Sequence, residues 1–357
     1  MAETELTGRF AGLRREQYRG AESVAVYSDT GEEFAALIAG VGVYELGWRA
    51  RFKVSGKDRV RWLNGMITNN VRDLPVGQGI YNFLLTPQGR IQGDLYAYNP
   101  GEHLVLETDQ FQAEHLMTLL KRYIIMDKVE IARDEKLAGI GVAGPHSSEL
   151  FKRVGIHLPE LKPLQFVETT CRDIAVTIIR SDLPHVDSYE IWLDSDKVAA
   201  LREELVNQGG TPAGSNAVEL TRVACGIPAY GQDIRERDLP QETGQERALN
   251  FTKGCYIGQE IVERIRARGA VHRKFTGFRI DGPLPAMGSK AQGDGKEIAE
   301  ITSAAVLPLP AGELPVALGY VRHEAGPPGT QIELGEAKAT VTELPFENVL
   351  ASAAKLH

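Results

Sequence analysis

The pattern of apolar residues changes once along this chain, at Gly269, and that change limits the folds open to it. Before Gly269, strand-like alternation and helical stripes follow one another; beyond it no helical period survives. Short apolar stretches at Phe275 to Ile280, Ile298 to Ala304, Pro315 to Val321, Gln331 to Leu334 and Ala339 to Leu344 are separated by turns such as Asp281-Gly282-Pro283 and Gly326-Pro327-Pro328-Gly329. Evenly spaced short strands of this kind predict a small β-barrel or sandwich, with its boundary near Val271.

The part before that boundary is mixed. Residues 1–35 are polar, and the arginines at 14, 15 and 19 read as a solvated turn or short helix. From Gly42 the alternation of Val43-Tyr44-Glu45-Leu46 and Arg51-Phe52-Lys53-Val54 predicts strands, with Asp58 capping the helix that follows. Gly79 to Leu85 and Ile91 to Tyr96 predict a hairpin about Pro87-Gln88-Gly89, followed by a strand at His103 to Glu107 and a helix capped at Thr108-Asp109. The order recurs: strands at Ala175 to Ile179 and Tyr189 to Leu193, a cap at Asp194-Ser195-Asp196, and a helix burying Val198, Leu201 and Leu205. At 357 residues two or three domains are expected, and this repetition predicts a pair of similar α+β subdomains ahead of the β unit. Gly139-Ile140-Gly141-Val142-Ala143-Gly144 imitates a dinucleotide fingerprint. Its glycines lie inside an apolar run and no acidic residue follows about twenty positions on, so a closely packed strand is the better reading.

Chemistry concentrates in Lys253-Gly254-Cys255-Tyr256-Ile257-Gly258-Gln259-Glu260. Ile257, Ile261, Val262 and Ile265 predict a helix from about Tyr256, which puts Cys255 at its N-terminus. The helix dipole and the Lys253 cation would both favour a thiolate there; a buried cysteine beside Gly254 is the alternative. Glu190, between apolar neighbours on a strand, needs a donor or solvent. Arg222, between Leu220 and Val223, needs an acceptor, from an ion pair or from a ligand.

The octapeptide resembles the signature of the YgfZ family, tetrahydrofolate-binding proteins that support iron–sulfur enzymes and are related to the glycine-cleavage T protein. The resemblance implies a T-protein-like fold of two ferredoxin-like subdomains and a barrel. The implied division is 1–252 for an interlocked folate-binding core, 253–270 for the signature loop and helix, and 271–357 for the barrel. It carries the signature cysteine onto Cys255, as the catalytic thiolate facing the one-carbon end, and the signature lysine onto Lys253, as a folate contact. Tyr189-Glu190-Ile191 is similar to the Gly-Tyr-Glu strand of T proteins, whose glutamate grips the pterin, so Glu190 becomes a pterin ligand; Ser188 replaces the glycine. Arg222 and the Tyr230-Gly231 pair resemble a T-protein segment and become folate contacts. Gly93-Asp94 keeps one of the T protein's two acidic residues, so Asp94 is the candidate for its catalytic aspartate. The function implied is a tetrahydrofolate-binding accessory protein for iron–sulfur client proteins; the alternative is a folate-dependent aminomethyltransferase, which needs Asp94 and not Cys255.

Several classes are excluded on composition. A net charge of −8 argues against general nucleic-acid binding, although Arg264, Arg266, Arg268, His272, Arg273 and Lys274 form a local basic cluster suited to a solvated face, a polyglutamate tail or an acidic partner. Three scattered cysteines and eight dispersed histidines predict neither a disulfide framework nor a metal site. The start of the chain lacks signal-peptide features and no long apolar run occurs, so a cytoplasmic location is expected.

Overall fold

The computed structural model describes residues 2–3, 12–269, 271–293 and 295–346. Its first region is built on two large sheets, one inserted into the other, beside a small three-stranded one. After the helix α1 (Thr30–Ala39) the chain lays down the strand Gly42–Glu45. It then builds a complete five-stranded sheet and returns at Leu137–Ala143, which pairs antiparallel with Gly42–Glu45. Val43-Tyr44 and Arg51-Phe52 therefore belong to different sheets despite their closeness in sequence.

The inserted sheet is antiparallel, in the order Gln78–Leu85, Ile91–Asn99, Leu104–Asp109, Arg49–Ser55, Glu130–Arg133. Its side chains alternate between two faces, with one irregularity where Leu85 pairs with Ile91 in the first hairpin. Phe52, Leu95 and Leu106 turn to α2 (Arg59–Met66) and α3 (Gln110–Arg122), where Leu63, Leu116 and Leu120 close the core. The second sheet runs Phe166–Cys171, Ile174–Arg180, Ser188–Asp194, Leu137–Ala143, Gly42–Glu45, Thr211–Pro212, with only the last pair parallel. Val142, Ile178 and Ile191 pack against Leu150 of α4 (Ser147–Arg153) and Leu201 and Leu205 of α5 (Val198–Asn207). The faces turned away from these helices meet each other: Tyr98 and Val105 touch Ile179 and Trp192, with the Tyr98 and Trp192 rings 4.9 Å apart.

Beyond α7 (Gln259–Arg268) lies an antiparallel six-stranded sheet, in the order Lys290–Gly293, Lys296–Leu309, Gly312–Arg322, Arg273–Asp281, Ala337–Thr342, Gln331–Leu334, which nearly closes into a barrel. It packs on α1 and on α6 (Ser215–Ala224) through Leu307, Leu318 and Tyr320. The five stretches expected beyond Gly269 are strands; Lys290–Gly293, with little apolar pattern, is an addition.

Four expectations are corrected. Of residues 1–35, 1 and 4–11 lie outside the described residues, and the rest are not merely solvated, because Asp29 caps α1 by accepting from the Gly31 and Glu32 N–H groups at 2.9 and 3.0 Å, and Ala21, Val24 and Phe34 are buried. The arginine-rich stretch forms a hairpin, Arg15–Tyr18 with Ala21–Val24, whose turn places Arg19 and Gly20 at positive φ. Asp58 does not cap α2 with its side chain, which accepts instead from the Lys128 N–H at 2.8 Å. Asp109 likewise makes no capping bond to α3, being taken up in ion pairs. The paired glycines of the false nucleotide motif have a packing reason. A Cβ on Gly141 would stand 2.1 Å from the Tyr44 ring, and one on Gly139 would stand 2.6 Å from the Arg51 guanidinium.

Candidate functional site

Strand alternation decides which side chains enter the space between the two sheets. With Phe52, Leu95 and Leu106 committed to the helices, Arg49 and Arg51, Tyr96 and Tyr98, and Glu107 and Asp109 face the other way. Register then sets opposite charges across from each other, Arg49 against Asp109 and Arg51 against Glu107. From the second sheet, Tyr189, Ile191 and Leu193 are spent on the helical core, so Ser188, Glu190 and Trp192 face inward.

The resulting charges are tightly paired. Arg49 reaches Asp109 at 2.5 Å and Glu107 at 3.1 Å; Arg51 meets Glu107 at 2.7 Å and Glu190 at 3.7 Å, and lies over the Trp192 ring. Arg19 adds a contact to Asp109 at 3.1 Å. Two carboxylates, Glu107 buried and Glu190 half-buried, thus share the same arginines, and they divide the charge unequally. Burial works against ionisation of Glu107, but Arg49 and Arg51 hold its pKa below the ordinary value. Glu190 is pushed up to about 7, by burial first and by the charge of Glu107 second, against the pull of the arginines and of the Trp192 N–H that donates to it at 2.9 Å.

Beside this cluster is a cavity of about 160 Å³. Its walls include the rings of Tyr18, Tyr44, Trp48, Tyr96 and Tyr98, together with Leu37, Leu46 and Val218. Tyr44 and Trp48 are nearly parallel, 6.3 Å apart, and Tyr96 and Tyr98 stack at 6.2 Å. Glu190, Arg49, Ser188 and Arg222 supply polar lining; Asp182 and Arg247, paired with each other, supply more. Asp182 also accepts from the Tyr96 hydroxyl at 3.1 Å. The space suits a flat ring system rather than a whole drug-sized ligand, whose pockets start at ~300 Å³.

Of the residues singled out in the sequence, Glu190 and Arg222 line this cavity. Arg222, however, has all five N–H donors occupied: Nε and Nη2 on Glu219 (3.0 and 2.5 Å), Nη1 on the Ile227 carbonyl (2.5 Å) and Asp233 (2.7 Å), and Nη2 also on Ser303 (2.8 Å). It is a wall held by ion pairs, with no donor to spare for a ligand. Asp94 shares the inward face of its strand with Tyr96 and Tyr98 but lies outside the lining. The Tyr81 hydroxyl and the Gln112 amide each donate to it at 2.6 Å, and burial, then the charge of Asp109, raises its pKa. Tyr230 packs away from the cavity, among Tyr81, Phe83 and Ile91, with its ring stacked on Phe111.

Lys253 and Cys255 are not brought to the cavity. The Lys253 ammonium is buried and donates to the carbonyls of Asn64, Ile67 and Asn69 at 2.7, 2.7 and 2.5 Å. Burial draws its pKa down to about 7, while the carbonyls at the negative end of α2 favour its charge. Cys255 is exposed. The expected helix start is displaced because Gly258, at φ 83, turns the chain and α7 begins only at Gln259. The thiol therefore precedes the first turn, beyond which the dipole's effect falls away.

Residues 7–253 match the family description "GCVT N-terminal domain". The chain belongs to this family. Among similar proteins, the aminomethyltransferase of Symbiobacterium thermophilum is 28% identical over 94% of both chains, and that of Halothermothrix orenii is 27% identical over 94% of this chain and 96% of the other. A putative chloroplastic transferase of Arabidopsis thaliana is 25% identical, covering 90% of this chain and 75% of its own. The crystal structure of glycine cleavage system aminomethyltransferase T from Bartonella henselae superposes with a TM-score of 0.86 at 21% identity, over 96% of this chain and 97% of that one, so the fold is shared along its length. The expected kinship with the T protein is thereby borne out; these relatives do not single out the YgfZ branch. Among the described residues no helix is long and apolar enough to cross a membrane.

Sequence reasoning missed Arg19, Arg49, Arg51, Glu107, Asp182 and Arg247. The alternation of Arg49 and Arg51 with Ala50 and Phe52 was the available signal, since two arginines on one strand face need acid partners.

Proposed function

We propose that the cavity between the two sheets binds the pterin ring of tetrahydrofolate and that the protein transfers a one-carbon unit of the aminomethyl type on that cofactor. The observation that carries the reading is Glu190, a half-buried carboxylate that lines an aromatic slot with its second oxygen turned away from the Trp192 N–H it accepts from. A pterin edge offers an amine and a ring N–H side by side, which is the pair of donors a carboxylate accepts best. The stacked tyrosines suit the faces of the ring. Asp94 lies outside the lining, but it shares the inward strand face with Tyr96, and in this reading it is the acid that exchanges a proton with an amine at the reacting end once the ligand extends past Tyr96. The aminomethyltransferase relatives support this choice of reaction.

Cys255 favours a second reading. A solvent-exposed thiol on a loop pinned by Lys253 is placed to meet another protein, as an accessory role toward iron–sulfur client proteins would require. Turnover separates the two. Incubated with tetrahydrofolate and an aminomethyl-loaded lipoyl carrier, the protein should form methylenetetrahydrofolate with release of ammonia and the dihydrolipoyl carrier, Asp94→Asn should abolish this, and Cys255→Ser should retain it. Absence of turnover, combined with rescue of an iron–sulfur defect that requires Cys255, would instead establish the accessory role.

A further inference from the structure

Ser188 is 1% exposed and its Oγ has no hydrogen-bond partner among the described residues. A buried hydroxyl left unpaired is costly and calls for an explanation. Its position supplies one. Ser188 lines the cavity and stands two residues before Glu190, so both project from the same strand face, ~6.6 Å apart along the backbone. Neighbouring polar groups are turned elsewhere: the Tyr96 hydroxyl donates to Asp182, Arg222 is fully paired, and Glu190 accepts from Trp192 with one oxygen, leaving its other acceptor sites for a ligand. Across the ladder Ser188 faces Ala143, which offers no side-chain acceptor.

We propose that the Ser188 hydroxyl is a specificity-determining contact, donating to the ring carbonyl that flanks the donor pair held by Glu190. The inference rests on the pterin reading above and deepens it. A carboxylate can take the amine and the ring N–H but repels the adjacent carbonyl oxygen, which needs a donor of its own. Ser188 supplies that donor from the same strand. The cavity thus selects 4-oxopteridines over analogues bare at that position.

The test compares wild type with Ser188→Ala, using 6-methylpterin and 6-methylpteridin-2-amine, which lacks the carbonyl and with it the ring N–H, as probes, so that the serine is read from the effect of the substitution on each probe, with melting curves of the ligand-free proteins. Wild type should bind the pterin more tightly than its analogue. Ser188→Ala should lose about 3- to 12-fold in pterin affinity, the range for one hydrogen bond, and bind the analogue unchanged, while melting no lower than wild type because an unpaired buried group has been removed. A lower melting temperature with unchanged pterin affinity would mean that Oγ is satisfied inside the protein, and would overturn the proposal. Equal losses for both probes would overturn it too, since the carbonyl would then not be the partner. If Glu190→Gln abolishes pterin binding and Ser188→Ala leaves it intact, the serine role fails and the pterin reading stands; if wild type binds neither probe, both fall.

Discussion

Glu190 carries the account at the scale of single residues. It was legible in the sequence because a carboxylate among apolar strand residues needs a donor, and the structure gives it Trp192 and the flank of Arg51. What the sequence did not reveal is Glu107, whose charge adds to burial in raising Glu190, because register sets Glu107 across from Arg51 while the packing of the two sheets brings Glu190 to the same arginine. A pKa raised to about 7 has a definite consequence for stability. The folded form holds this proton more tightly than the unfolded chain, so the group's stabilising contribution is complete below its ordinary carboxylate pKa and is lost as pH rises through about 7. Glu190→Gln, which keeps the shape and removes the titration, should melt close to wild type at pH 5 and above it at pH 8. Melting curves that run parallel across this range would show that Glu190 carries no such shift. Ser188 is the complementary case: in sequence only a departure from a glycine, and in the fold an orphaned hydroxyl beside the same acid.

Among the elements, the signature loop shows how a motif can be recognised correctly and its parts misplaced. The octapeptide promised a cation and a thiol acting together at a helix start. Instead Lys253 closes the end of α2, a helix nearly two hundred residues earlier, by satisfying carbonyls of its last turn and of the turn beyond. Gly258 then allows the chain to press against the 86–90 hairpin turn, where a Cβ would meet the Thr86 carbonyl at 2.6 Å. No local pattern could reveal either partner, since both lie far off in sequence. Lys253 is consequently an anchor in this arrangement. Lys253→Met should cost about 2–4 kcal/mol in urea unfolding, through three carbonyls left without their donor, and leave pterin affinity unchanged. A loss below about 0.5 kcal/mol, the scatter of ordinary surface changes, would remove the clamp from the account.

Over the whole molecule, the readable part was the run of strands beyond Gly269, because evenly spaced strands and turns survive any choice of partners. The insertion of one sheet into another was not readable. Val43 and Arg51 look like consecutive strands of a single sheet, and consecutive strands usually are neighbours; here the connection through Gly47 and Trp48 carries the chain from one sheet to the other. That crossing creates the cavity, since the two sheets bury their outer faces under helices and leave inner faces rich in tyrosine, arginine and acid to meet. The barrel completes the arrangement from behind: Thr302 and Ser303 donate to Asp233 at 2.5 and 2.7 Å, and Asp233 in turn holds Arg222 in the cavity wall. The most direct test of a pterin seated between the sheets is calorimetric titration of tetrahydrofolate at pH 6 and pH 8, in buffers of differing ionisation heat, into wild type and Glu190→Gln. The expected result is one site per wild-type chain, tighter at pH 8 and releasing a proton on binding at pH 6, with at least ~10-fold weaker binding and no proton release in the variant. Equal affinity in both proteins, or no binding to wild type, would contradict it.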